Sequence, residues 1–123
     1  MKRFFQEDFY NIKLKAMAIS CADIYDNGVA ITTCQQVMPD AQLLCAQLAD
    51  LLLTVKGVKA SFVVGRNDEM KTVISARSLG AVNVQVIMEK FGGGGHLTTA
   101  AAQVETSIDE TVSKIMEIME VNK

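Results

Sequence analysis

The chain has one histidine, one proline and no tryptophan among its 123 residues. With His96 alone, and with no Cys-x-x-Cys spacing among Cys21, Cys34 and Cys45, the sequence offers no usual transition-metal set. Three cysteines are also an odd number, which argues for free thiols in a reducing cytosol, here as packing residues. Pro39 stands alone, and no Ser/Pro-rich or strongly charged tract marks a linker or a repeat. Apolar runs stay short: "LLLTV" at 51–55 is far below the roughly 18 to 20 residues that a membrane span needs. The N-terminal "MKRFFQEDFYNIK" has charges scattered through it and no apolar signal core. These absences lead to the expectation of a cytoplasmic domain without direct membrane contact.

What is present fits one globular domain over residues 1–123, with 50% hydrophobic and 21% charged residues. The net charge of −2 and a pI near 5.3 argue against nonspecific binding along a nucleic-acid backbone. Residues 56–96 nevertheless carry six basic groups against three acidic ones. That mildly positive middle suits a small anionic ligand, and equally an ordinary solvated surface.

Phe5, Phe9, Ile12, Ala16 and Ile19 fall at helical spacing and predict a helix from residue 2 to about 19. Asn27-Gly28 between two β-favouring runs predicts a hairpin with a type I′ turn. A second helix follows Pro39 and Asp40, with Leu44, Leu48, Leu51, Leu52 and Val55 as its stripe. "VKASFVVG" and "MKTVISARS" predict a second hairpin around Arg66-Asn67-Asp68. Val84, Ile87, Met88 and Phe91 then form a short helix face capped by Asn83. "LTTAAAQVE" admits a turn of helix running into a strand, and Ser107 to Glu110 matches a capping box opening a terminal helix. Such interleaving predicts an α/β fold, a mixed sheet of about five strands with helices packed on it.

Half of the chain's eight glycines stand in one run, Gly92 to Gly95, directly before His96. A flexible connection is one reading, yet the run lies between patterned segments of one small domain, where a loose hinge would cost ordering entropy. Gly92 follows the apolar face ending at Phe91 and is explained as the left-handed residue that ends the helix. Gly93, Gly94 and Gly95 with His96 remain as a candidate anion cradle, because glycine lets backbone amides approach a ligand. A P-loop is excluded by the missing Gly-Lys-Ser/Thr, and a Rossmann fingerprint by Leu97 and Thr98 at the third-glycine positions. Arg77, at the end of an apolar strand, is either a solvated edge charge or a fork for a phosphate or base. For Thr98 and Thr99 a plain backbone role is favoured over hydroxyl donation.

The stretch "ARSLGAVNVQVIMEKFGGGGHLTTAAAQ", followed by a capped terminal helix, resembles the DHH-associated domain of the DHH phosphoesterase superfamily. The resemblance covers about residues 15–120 and is most specific over 76–103. Within the superfamily, "NVQVIMEKFGGGGHLTTAAAQ" is most similar to the membrane-anchored cyclic di-AMP phosphodiesterases of the GdpP type. RecJ nucleases and oligoribonucleases share the Gly-Gly-Gly-His signature but commonly carry Ala-Gly where this chain has Ala101-Ala102.

The resemblance implies a division of labour. A catalytic DHH domain supplies Asp and His ligands for two manganese ions, and the associated domain grips the nucleotide. It implies substrate contacts by Arg77, Ser78, Gly93, Gly94, Gly95 and His96, with Asn83 at a polar position near the ligand. It also implies an adenine dinucleotide ligand, cyclic di-AMP or pApA, a parent anchored at the cell membrane, and a partner in the parent's catalytic domain. A homodimer is a further expectation. No Asp-His-His motif occurs in this chain, so no cofactor is expected in it, residues 1–19 would lead in from an absent catalytic domain, and hydrolysis by this chain alone is not expected. The alternatives are a nucleic-acid binding domain of a RecJ-like or oligoribonuclease-type exonuclease or of a tRNA editing protein, and an interaction domain whose glycine loop is structural.

Overall fold

A computed structural model describes residues 9–121 apart from Pro39. Along the chain run α1 (Phe9–Ser20), β1 (Asp23–Ile24), β2 (Val29–Met38), α2 (Ala41–Leu53), β3 (Ala60–Asn67) and β4 (Thr72–Ser78). Then come α3 (Val84–Glu89), β5 (Gly94–Gly95), β6 (Thr99–Val104) and α4 (Ile108–Ile118). The strands form one sheet in the order β1-β2-β3-β4-β6-β5. β2 and β3 are parallel, which requires a crossover, and α2 supplies it; every other pairing is antiparallel. The expected mixed sheet with packed helices is therefore present, with six strands rather than about five, because part of the glycine run is itself a strand.

Both faces of the central strands are buried, and strand alternation sorts their residues between two cores. Leu14 and Ala18 of α1 and the inner face of α2 pack with Val63 and Val73 on one side. Phe62, Val64, Ile74, Ala76, Ala100 and Ala102 pack with α3 and α4 on the other. Asn83 caps α3 by accepting from the Val86 amide, and Ser107 with Glu110 forms the reciprocal capping box of α4, both as the sequence predicts.

Three sequence expectations need correction. Most of the proposed α1 stripe faces outward, with Phe9 71% and Ile12 47% exposed; of its described members Ile19 packs against the core, beside the buried Leu14 and Ala18. Apolar residues lie on several sides of this helix, so helical spacing alone did not single out the packed side; Phe5 lies outside the described residues. In α2, Leu51 is half exposed and Val55 lies beyond the helix end, because Cys45 and Ala49 turn toward the sheet instead. Finally, the Asn27-Gly28 hairpin is not type I′: only Gly28 has a positive φ, and its amide donates to Tyr25 O. That is a type I turn closed by a left-handed glycine, the three-residue hairpin form.

The glycine run is ordered by two different constraints. Gly92 has φ +83, its amide donates to Glu89 O, and the Gly93 amide donates to Met88 O, the bond pair that closes a helix C-terminus. Gly93 and Gly95 lie against β6. A Cβ on Gly93 would stand 2.1 Å from Ala101 O, and one on Gly95 2.4 Å from Thr99 O. A Cβ on Gly94 would meet nothing within 4 Å.

Two outcomes follow. Gly93→Ala and Gly95→Ala should each destabilise the fold by about 2–3 kcal/mol in denaturant titrations, Gly92→Ala by about 1 kcal/mol, and Gly94→Ala by under about 0.5 kcal/mol. Cys34 and Cys45 are buried, and burial pushes the Cys45 thiol up to about 12, whereas Cys21 is exposed. A disulfide-exchange reagent should therefore titrate one thiol quickly in the native protein and all three after unfolding.

Candidate functional site

The strand register brings the sequence candidates into rows. Arg77 of β4 pairs with Thr99 of β6. Thr99 in turn faces His96 across a two-residue turn, with the His96 amide donating to Thr99 O at 2.6 Å and the Thr99 amide to His96 O at 3.3 Å. Antiparallel partners project to the same side of a sheet, so Arg77, Thr99 and His96 form one row on the face that carries α2. The next row on that face is Ser75, Ala101 and Gly94.

This part of the sheet is covered on one side only. Ala100 and Ala102 are buried beneath α3, while Thr99 and Gln103 are exposed and Ala101 half-buried on the opposite side. The flank of α2, with Gln42, Ala46 and Asp50 at i, i+4 and i+8, walls the open strip. At its inner end Asp50 Oδ1 accepts a hydrogen bond from Arg77 Nε at 2.8 Å. The Arg77 side chain is only 13% exposed, and its Nη1 donates to Ala76 O. Both bonds fix the guanidinium plane, leaving donors on its free edge. At the outer end stands the exposed imidazole of His96, with Gly94 between as an uncluttered floor.

The amides of the run divide in the same way. Those of Gly92, Gly93 and His96 are engaged by Glu89, Met88 and Thr99. Because His96 and Thr99 exchange bonds, ladder alternation makes Gly94 and Ala101 the next bonded pair and leaves the Gly95 N–H pointing off the sheet edge. A cradle with several glycine amides converging on one anion is therefore not what the chain forms. It presents an open shelf at Gly94, one outward amide at Gly95, and side-chain donors from His96, Thr99 and Arg77.

Other expected site residues are placed elsewhere. Ser78 follows Arg77 directly and so lies on the opposite face, buried, with its hydroxyl donating to Val82 O at 2.7 Å and accepting from the Gly80 amide. It ties the 78–82 loop to the hairpin turn, since the Ser78 amide donates to Thr98 O. Asn83 uses its Oδ1 as the α3 cap. Sequence reasoning favoured a plain backbone role for Thr99 and missed Asp50, the partner of Arg77. Thr99 enters the row through its pairing with Arg77 and the 96–99 turn, neither of which its local sequence signals, and Asp50 has no local signal beyond lying on a helix surface. Among the described residues no group of three His, Cys, Asp or Glu side chains could hold a metal ion, and no helix is long and apolar enough to cross a membrane.

Comparison with known proteins identifies the family. The DHHA1 domain model matches residues 14–121. The chain is 44% identical over 118 residues to a protein named cyclic-di-AMP phosphodiesterase GdpP from Geobacillus thermodenitrificans, covering 95% of this chain and 18% of that protein. It is 42% identical over 105 residues to cyclic-di-AMP phosphodiesterase PdeA from Listeria monocytogenes, covering 85% of this chain and 16% of that one. The chain thus spans less than a fifth of the length of either relative. An exopolyphosphatase-related protein from Bacteroides fragilis shares the fold, with TM-score 0.80 at 20% identity over 95% of this chain and 36% of its own. A family model matched across nearly all of the described sheet and helices leaves one assignment: the chain belongs to the DHHA1 domain family.

Proposed function

We propose that this domain grips the nucleotide for a phosphodiesterase acting on cyclic di-AMP, on the linear dinucleotide pApA, or on both. The single observation that carries the proposal is the row Arg77, Thr99 and His96 beside the side-chain-free floor at Gly94. A phosphate set on that floor meets the free edge of a guanidinium already oriented by Asp50, a threonine hydroxyl, an imidazole and the Gly95 amide. The missing Cβ at Gly94 lets a non-bridging oxygen approach the backbone. The names of the GdpP and PdeA relatives support an adenine dinucleotide as the ligand.

Chemistry belongs to another part of the parent protein in this reading. Two manganese ions held by a DHH catalytic domain would activate water for attack on phosphorus, and the residues described here do not provide their ligands. The role of this domain is to orient the dinucleotide and hold its phosphate. A parent anchored at the membrane and a cytoplasmic location for this domain belong to the same proposal. The net charge of −2 weakens the alternative of a domain that tracks a long nucleic-acid backbone.

Calorimetric titration with pApA tests the reading. His96→Ala and Gly94→Val should each weaken binding about tenfold or more, the cost of a lost charge-assisted hydrogen bond or a blocked floor, with unchanged melting temperatures. Wild-type affinity in both variants would refute the site. The purified chain should show no manganese-dependent hydrolysis of cyclic di-AMP or pApA; turnover that His96→Ala abolishes would refute the division of labour.

A further inference from the structure

The open strip does not stop at Gly94. Continuing along the same face, the row after Ser75 and Ala101 is Val73 and Gln103, about 14 Å from the Arg77 and Thr99 row by strand rise. There the strip deepens into a cleft of about 400 Å3, walled by Gln42 and Leu43 of α2, Asn67 to Glu69 of the β3–β4 turn, and Gln103.

Three amide side chains converge on this cleft, and their internal bonds fix what they offer. Gln42 Nε2 donates to Ser75 Oγ at 3.1 Å, so its Oε1 remains an acceptor without a hydrogen-bond partner among the described residues. Gln103 Oε1 accepts from Asn67 Nδ2 at 3.4 Å, so its Nε2 remains a donor. Asn67 is itself held, its Oδ1 accepting from the amides of Glu69 and Lys71 at 2.9 Å each. The cleft therefore presents a free acceptor from one wall and a free donor from the other, a pattern that complements the edge of a nucleobase.

Charge decides against a second phosphate. Asp40, Asp68 and Glu69 stand on the rim, and none of the residues lining the cleft is basic. An anion is repelled there, while an uncharged, hydrogen-bonding ring is not. The two ends of the strip are thus chemically opposite, cationic donors at Arg77 and His96, and neutral amides within an acidic rim at Gln42 and Gln103.

The geometry points to a nucleobase subsite in the cleft of Gln42, Asn67 and Gln103, occupied by a base of the same ligand whose phosphate lies over Gly94. This rests on the phosphate site proposed above and adds the ligand's direction across the sheet. Ala101, the neighbour of Gly94 on β6, is the small-residue floor between the phosphate over Gly94 and the cleft, and only its methyl group lies in the path of a crossing sugar.

Side-chain amide resonances provide the test. The NH2 signals of Gln42 and Gln103 are assigned by their loss in Gln42→Ala and Gln103→Ala, and the wild-type chain is titrated with pApA, adenosine and ribose 5-phosphate. The expected result is that pApA and adenosine move both amide signals, whereas ribose 5-phosphate moves only the Gly94 to His96 backbone. The double variant should bind pApA about tenfold more weakly and ribose 5-phosphate unchanged. Amide signals that stay fixed while pApA moves Gly94 to His96 would overturn the base subsite and leave the phosphate site standing. If neither set moves with pApA, both assignments fall. Should the double variant not fold, the wild-type signals still decide.

Discussion

The close approach of β5 to β6 is the constraint on which this site depends. Two backbones meet at distances that leave no room for a Cβ on Gly93 or Gly95, so the edge hairpin keeps this geometry only with glycine at both positions. Their register then sets everything downstream. It puts His96, just past β5, opposite Thr99, and the separate pairing of β4 with β6 puts Thr99 opposite Arg77, which completes the row. A slip of one residue in β5 would take His96 out of the row and send it to the other face of the sheet.

With that pairing in place, the remaining groups are fixed by ordinary bonds. Asp50 and Ala76 O hold Arg77 from behind, and Ser78 and the Asn83 cap anchor the loop under the hairpin turn. The donors facing the strip are thereby positioned without a ligand, which lowers the ordering cost of binding one. Gly94 has no steric conflict to explain it, unlike Gly93 and Gly95, and the proposed phosphate site is set over it for that reason.

Much of the fold was legible because most elements carry signals on their own residues. The Asn83 and Ser107 caps, the α3 face and the β3–β4 hairpin all appear in local spacing. α1 was misread because Phe9, Ile12 and Met17 lie on sides of the helix that its partners do not cover, so several stripes compete in the sequence. The site was legible in its residue types and less so in its arrangement. Arg77 and Ser78 are adjacent in sequence, yet a pleated strand sends them to opposite faces. Four glycines look alike in a string, whereas helix closure explains Gly92, backbone contact explains Gly93 and Gly95, and neither explains Gly94. Thr99 and Asp50 enter through strand register and helix docking, which depend on residues far away in the chain.

A crystal structure of this chain with pApA bound tests the account most directly. It should place a phosphate over Gly94, within hydrogen-bond reach of Thr99 Oγ1, the His96 ring and the Arg77 guanidinium, with the backbone of β5 and β6 unmoved. A dinucleotide found instead in the cleft of Cys21, Asp23, Tyr25 and Asp109, or a phosphate on the α3 side of the glycine run, would contradict it.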